Sequence, residues 1–287
     1  NWTPAKNMGS PINNAEANIV LAMTQDGSRL LVYNKTDKEG YSDIGFSTKK
    51  YGSWEPPRNL RIEGYDNLGG SSVTACLAGD EEHLIISLDD GTGNEDLYVF
   101  DKLGEGAYGN KRKLDNVVNT GSDEITPFLS PDGRSLYFSS DGHGGQGGLD
   151  IFMTRRLDDS WTSWSEPQNA GRSINSPQDD YYFNFPSTGE YAYFTSKGDD
   201  SRGLKDIYRT PIPLAFRPND VFTVSGKVLD EKEGPLNAKV VFLRKTTGEI
   251  VGTASTNPAT GDYTMLLPTG EVYTIVASNS GYLSLNE

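Results

Sequence analysis

The chain is poor in the residues that most often carry chemistry. A single cysteine, Cys76, excludes an internal disulfide across 287 residues. Its apolar neighbours Val73, Ala75 and Leu77 mark it as a small core residue, and one thiol leaves the redox compartment open. Only two histidines occur, His83 and His143, so a His-based triad has two candidate bases. Positive charge is also short: 26 Lys and Arg face 40 Asp and Glu, a net charge of −14. That balance argues against nucleic acid, which needs a basic face, and against electrostatic docking on anionic lipid. No run approaches the roughly 18 apolar residues of a membrane helix, so no direct membrane span is expected. There is no initiator methionine and no signal peptide; the chain opens on Asn1-Trp2 and reads as an excerpt of a longer precursor.

What is abundant points to an all-β chain. Glycine (32), proline (15), tyrosine (15) and phenylalanine (11) together favour short strands broken by turns. The strands come in repeats. Trp164-Ser-Glu-Pro-Gln-Asn169 matches Trp2 to Asn7 and Trp54 to Asn59, with a degenerate copy at Tyr108. The anchors at 2, 54, 108 and 164 lie 52, 54 and 56 residues apart. Asp-Gly before an apolar run recurs in phase at Asp26-Gly27 and Asp132-Gly133, with weaker copies at Gly79-Asp80 and Thr188-Gly189. An aspartate entering an apolar run recurs at Asp43, Asp96, Asp150 and Asp206, and Ile-Asn follows the Trp motif at Ile12-Asn13 and Ile174-Asn175, with Val118-Asn119 as a variant.

The order within a unit predicts four strands per repeat of about 54 residues, the blade pattern of a β-propeller, because one four-stranded sheet cannot bury both faces alone. Four units are visible, plus part of another. The Asp-Gly pairs are expected as hairpin turns, the aromatic anchors as filler between sheets, and the repeating aspartates as acceptors of turn amides. The last unit, through Asp206-Ile-Tyr208, has no Trp-led strand after it, whereas the chain begins with one. Either residues 2 to 7 close the ring onto the strand at Ile207, or a blade lies upstream.

Residues 1–213 are expected to form the propeller and 214–221, with Pro218, a linker. From Phe222 the pattern changes to short alternating strands, including Val224 to Val228, Pro235 to Phe242, Gly261 to Leu266 and Tyr273 to Ala277. They predict a small β-sandwich over 222–287.

The motifs Ser130-Pro-Asp-Gly133, Leu136-Tyr-Phe-Ser-Ser140 and Gly147-Gly-Leu-Asp-Ile-Phe152 resemble the Pro-Asp-Gly propeller repeats of TolB-like proteins. The Val-x-Gly-x-Val start and Gly-x-Tyr strand of the second domain resemble the carboxypeptidase regulatory-like fold, a transthyretin-like sandwich. The succession of the two is similar to the multidomain OmpA-family proteins of Bacteroidetes, where tetratricopeptide repeats precede the propeller and an OmpA-like peptidoglycan-binding domain follows the sandwich. The PorE-type component of the type IX secretion system has this layout. The resemblance implies a periplasmic scaffold at the outer membrane, whose partners are other envelope or secretion-system proteins. It also implies a further blade upstream, and peptidoglycan contact only through a domain that this chain does not contain.

For catalysis the sequence offers little. There is no Gly-x-Ser-x-Gly elbow, and Gly144 to Gly148 lacks the ending of a phosphate loop. The expectation is a chain that is not an enzyme, with no catalytic, cofactor-binding or metal-ligating residue to name and with Trp2, Trp54, Tyr108, Trp164, Asp43, Asp96, Asp150 and Asp206 as structural repeat positions. No cofactor is expected; calcium in the acidic loops (Asp89-Asp90 with Asn94-Glu95, Asp158-Asp159, Asp179-Asp180, Asp199-Asp200) is a weak alternative. A glycan- or peptidoglycan-binding module remains the alternative function, with a propeller glycosidase or peptidase behind it.

Overall fold

A computed structural model describes residues 3–14, 18–36, 38–66, 73–89, 91–186, 189–198, 201, 203–279 and 285–286. The fold is all-β, and the first two thirds form four β-propeller sheets. Blade 1 holds β1 (Asn18–Met23), β2 (Arg29–Asn34), β3 (Ile44–Lys50) and two short pieces, β4 (Ser53–Trp54) and β5 (Arg58–Asn59). Blade 2 holds β6 (Arg61–Ile62), β7 (Thr74–Leu77), β8 (His83–Asp89), β9 (Glu95–Gly104) and β10 (Ala107–Lys113). Blade 3 holds β11 (Glu124–Leu129), β12 (Ser135–Ser140), β13 (Asp150–Arg155) and β14 (Gln168–Asn169). Among the described residues blade 4 holds β15 (Tyr181–Asn184), β16 (Tyr191–Ser196) and β17 (Asp206–Pro211).

Each blade is an antiparallel meander, and the first strands are innermost: β7 packs against β1 and β11, and β11 against β15. Period-two alternation then sends successive side chains into two different cores. In β12 the side chains of Leu136 and Phe138 join the core between blades 2 and 3, while Tyr137 between them joins the core between blades 3 and 4. All six residues of β12 are buried for that reason. At the end of the fan β17 alternates between half-buried and exposed, since among the described residues only one of its faces has a neighbour.

Blade 2 draws one strand from its neighbour. Residues 58–62 leave blade 1 as β5, paired with β3, and continue as β6, which lies parallel to β10. The strap ties the two blades at their outer edges, through Arg61 N to Gly106 O at 3.0 Å and Glu63 N to Tyr108 O at 2.9 Å.

The stretch 214–221 is more than a linker. Leu214–Phe216 form a 3-10 turn whose Phe216 is buried in the core of blades 3 and 4, and the Tyr137 hydroxyl donates to its carbonyl at 2.8 Å. The first strand of the second domain already begins at Val221. This domain pairs β18 (Val221–Lys227) with β21 (Asp262–Pro268), and faces them with a sheet ordered β20 (Ile250–Ser255), β19 (Lys239–Arg244), β22 (Tyr273–Ser278) and β23 (Leu285–Asn286). Val240, Phe242, Ala254, Met265 and Leu267 fill the space between.

Candidate functional site

The repeat positions fall into the places the blades need filled. Trp164 is buried between blades 2 and 3, its indole donating to the Trp161 carbonyl at 3.0 Å. Trp54 is half-buried against Ile12, Leu30 and Val32 on the outer face of blade 1. Trp2 lies outside the described residues. Tyr108 is buried, and its hydroxyl donates to the Glu81 carbonyl at 3.0 Å. That bond explains the irregular second repeat. The turn there is Asp80-Glu81 rather than Gly79-Asp80: Glu81 takes the left-handed φ of 58° that Gly27 and Gly133 take at 68° in their blades. A side chain in that region is strained, and Glu81 is held there by Tyr108 and by an ion pair with Arg29.

The four aspartates do not share one role. Asp43 accepts the Thr36 amide at 2.9 Å, and Asp150 accepts those of Gln146 and Gly147. Asp96 binds the Lys113 ammonium at 2.6 Å instead, and Asp206 opens β17. The Ile-Asn landmarks work as staples: the Asn175 side chain accepts from Ile151 N at 2.8 Å and donates to Ile151 O at 3.0 Å, and Asn119 does the same to Leu97. Sequence reasoning located these asparagines and named Asp180 only as part of an acidic loop, but missed the role of the carboxylate five residues after each asparagine. Glu124 and Asp180, both fully buried, accept the amides of Thr120 and Ser176 at 2.8 and 2.7 Å. Burial raises both pKa values against those hydrogen bonds, and Asp150 adds to the effect on Asp180. Burial likewise pushes the Cys76 thiol up to about 12.

Both histidines are packed. His83 stacks on Trp161 at 4.2 Å with Nδ1 2.7 Å from Asp80, and His143 Nε2 lies 2.7 Å from the Val118 carbonyl beside Phe152. In the acidic loops Asp89 accepts the amides of Gly91 and Gly93, and Asp158 that of Ser160. Asp90, Asp199 and Asp200 lie outside the described residues. Among those described, no three His, Cys, Asp or Glu side chains converge as a metal-binding group.

Three further features come from tertiary structure alone. The first is a joint. The second domain and its lead-in contact the equivalent turns of three blades: Ser255 N donates to Asp26 at 2.8 Å, Thr253 N to Gly79 O at 3.0 Å, and Asn219 N to Asp132 at 2.9 Å. Arg156, its guanidinium 4.2 Å over Trp161, reaches Glu249 across the boundary at 3.1 Å. The second is a groove of about 2050 Å³ along the outer edges of blades 1 and 2, closed at one end by the second domain. Its floor includes Phe46, Leu60 and Tyr108.

The third is an uncovered edge. Ile44, Leu97 and Ile151 hold equivalent positions and are all 0% exposed, whereas Ile207 is 69% exposed. In blades 1 to 3 the carbonyl at this position accepts an amide from the chain that follows: Leu60 N at 2.7 Å, Leu114 N at 3.0 Å and Ala170 N at 3.0 Å. Among the described residues no strand lies on the outer edge of β17. Thr3 to Asn7 form no strand, so the ring closure considered for residues 2–7 is not made by their described part. The loop that follows has the shape of a blade exit. Asn13 binds Asn7 at 2.8 Å as Asn175 binds Asn169 at 2.9 Å, and Gly9 N and Gly171 N cap the same two asparagines.

No family model and no curated protein matches the chain. Solved structures do. TolB from Acinetobacter baumannii aligns at 14% identity and a TM-score of 0.45, over 89% of this chain and 55% of that one, so this chain spans about half of that TolB. A thermostable family-43 glycoside hydrolase aligns at 13% identity and 0.47, over 97% and 95%. An endo-arabinase from Bacteroides thetaiotaomicron aligns at 12% identity and 0.43, over 84% and 88%. At such identities the likeness speaks to fold alone. It nonetheless corrects the expectation that the chain is not an enzyme. Rings of such blades carry glycoside hydrolysis in other proteins, and a missing sequence motif does not exclude it, because propeller acids converge from different blades rather than from one stretch of sequence.

Proposed function

We propose that the chain is a periplasmic, outer-membrane-associated scaffold that holds protein partners in an envelope assembly, type IX secretion or a relative of it. The family resemblance of its motifs supports the setting, and the joint supports a fixed geometry between the two domains. The observation that carries the reading is the edge of β17. A third strand with no strand on its outer edge among the described residues is a template for an added strand. Main-chain hydrogen bonds along Asp206–Pro211 supply affinity there, and the apolar surface of Ile207 supplies an anchor. Contact with peptidoglycan belongs to a separate domain outside these residues.

A photo-crosslinking residue at position 207, introduced in cells, tests this. The expected result is a covalent adduct with another envelope protein, identified by mass spectrometry and lost when the residue is moved to the buried position 151. Adducts confined to the chain itself would assign the edge to internal ring closure and remove the support for a partner.

A further inference from the structure

The groove between blades 1 and 2 departs from the charge of the rest of the molecule. The chain carries −14 overall. The groove is lined by eight Lys and Arg side chains against six Asp and Glu. Its acids are largely spent on neighbours: Glu81 on Arg29, Glu55 on Lys50, Glu82 on Lys102 and Lys239, Asp262 on Lys227, and Asp26 on the amides of Ser28 and Ser255. Four cations are left over. Lys38, Lys49, Arg58 and Arg61 have no carboxylate partner among the described residues. Lys38 and Arg61 instead flank Tyr41, at 4.2 and 4.9 Å from its ring centre, and Arg61 Nη2 donates to the Tyr41 hydroxyl at 3.1 Å. Lys49 lies 5.5 Å from the ring of Trp54.

Their arrangement is linear. Lys38, Tyr41 and Arg61 stand near the start of β3 and Arg58 lies beside Phe46 in its middle, whereas Lys49, over Trp54, belongs to the other face of the sheet. Seven residues of strand span on the order of 20 Å. Single small ligands fill pockets of roughly 300–1,000 Å³, so a groove of about 2050 Å³ suits an extended chain. Against a negative molecule, a positive stripe in a concave wall concentrates anions.

We infer that this groove binds a linear anionic glycan, its acidic groups held by Lys38, Arg61 and Arg58 in succession. The walls favour a sugar over an acidic peptide. A peptide would add to a free strand edge or anchor apolar side chains. Here β3 is already paired by β4 and β5, and β10 by β6. The walls present hydroxyl and amide groups instead, from Thr36, Thr48, Asn237, Ser255 and Asn257. The site is separate from the β17 edge and does not depend on it.

Calorimetric titration of the whole chain with an oligogalacturonate of about eight residues tests the inference, with maltooctaose as neutral control and oligoglutamate as the peptide arm. Binding of the oligogalacturonate is expected, weakening with added salt. The double variant Arg58→Ala/Arg61→Ala should weaken it at least about tenfold, since each exposed cation contributes modestly and two are removed. Both side chains are exposed, so folding is retained, which circular dichroism checks. The pair Arg172→Ala/Lys197→Ala, outside the groove, should leave binding unchanged. Absence of oligogalacturonate binding, equal binding of the neutral glycan, tighter binding of oligoglutamate, or equal losses in both double variants would each overturn the proposal.

Discussion

Tyr108 stands where two other described repeats carry tryptophan, and the substitution has a local cause. Its hydroxyl satisfies the carbonyl of Glu81, a residue bent into the left-handed region where glycine serves the neighbouring blades. Tyr108→Phe should therefore cost about 1–2 kcal/mol in urea unfolding, the penalty of a buried acceptor left unmet. The staples are worth at least as much. Asn175→Ala leaves the Ile151 amide without its acceptor in the core, while the Ile151 carbonyl keeps the Ala170 amide, and a loss of about 1–3 kcal/mol is expected. Asp180 runs the other way. Burial raises its pKa, so the folded state holds the proton more tightly than the unfolded chain does. The stability this contributes is full below the unfolded carboxylate pKa and is lost as pH rises through the folded one. Asp180→Asn keeps an acceptor for Ser176 N without the charge, and should stabilise the chain at pH 7 by an amount on the order of 1 kcal/mol. The gain should shrink towards zero near pH 4 in paired unfolding curves. A variant less stable than the parent at pH 7 would show that the ionised form is favoured.

At the scale of the strand, one sequence pattern has two fates. Asp150-Ile-Phe152 and Asp206-Ile-Tyr208 read alike, yet Ile151 is fully buried and Ile207 is 69% exposed. The difference lies in the following blade, whose Phe183, Phe185 and Phe194 share a core with Ile151, whereas among the described residues no blade packs on the Ile207 face of β17. Ile207→Lys should leave unfolding within about 0.5 kcal/mol, as surface changes do. Ile151→Lys places an unpaired charge in the core and should prevent folding. A large destabilisation by Ile207→Lys, measured on the isolated chain, would mean that the edge is already covered in solution. Period-two alternation made the strands of both blades legible in the sequence. The missing cover was legible only as a repeat that ended without its Trp-led strand.

For the molecule as a whole the joint decides the shape. Glu249→Gln leaves the buried Arg156 guanidinium, among the described residues, with the more distant Asp159 at 3.7 Å as its ion-pair partner. Breaking a buried pair on one side costs about 3 kcal/mol or more, and scanning calorimetry should show the second domain melting apart from the propeller. A single unchanged transition would mean that the contact is idle. The blade landmarks, the all-β class and the change of pattern after Pro213 were all readable, because turns and alternation are local and repeat every 50-odd residues. Lys49-Lys50, Arg58 and Arg61 form a basic cluster in an acidic chain, a signal from which the groove was open to notice. Nothing in the sequence announces that Ser255 reaches Asp26 or Thr253 reaches Asp80, contacts spanning 229 and 173 residues and built from polar groups. The sequence by itself thus determined the strands, their order and the blade as a unit, since backbone geometry and side-chain period act over a few residues. Which edge stays open, which cations converge and where the second domain rests were decided only by tertiary packing, which brings together groups that no short-range pattern links.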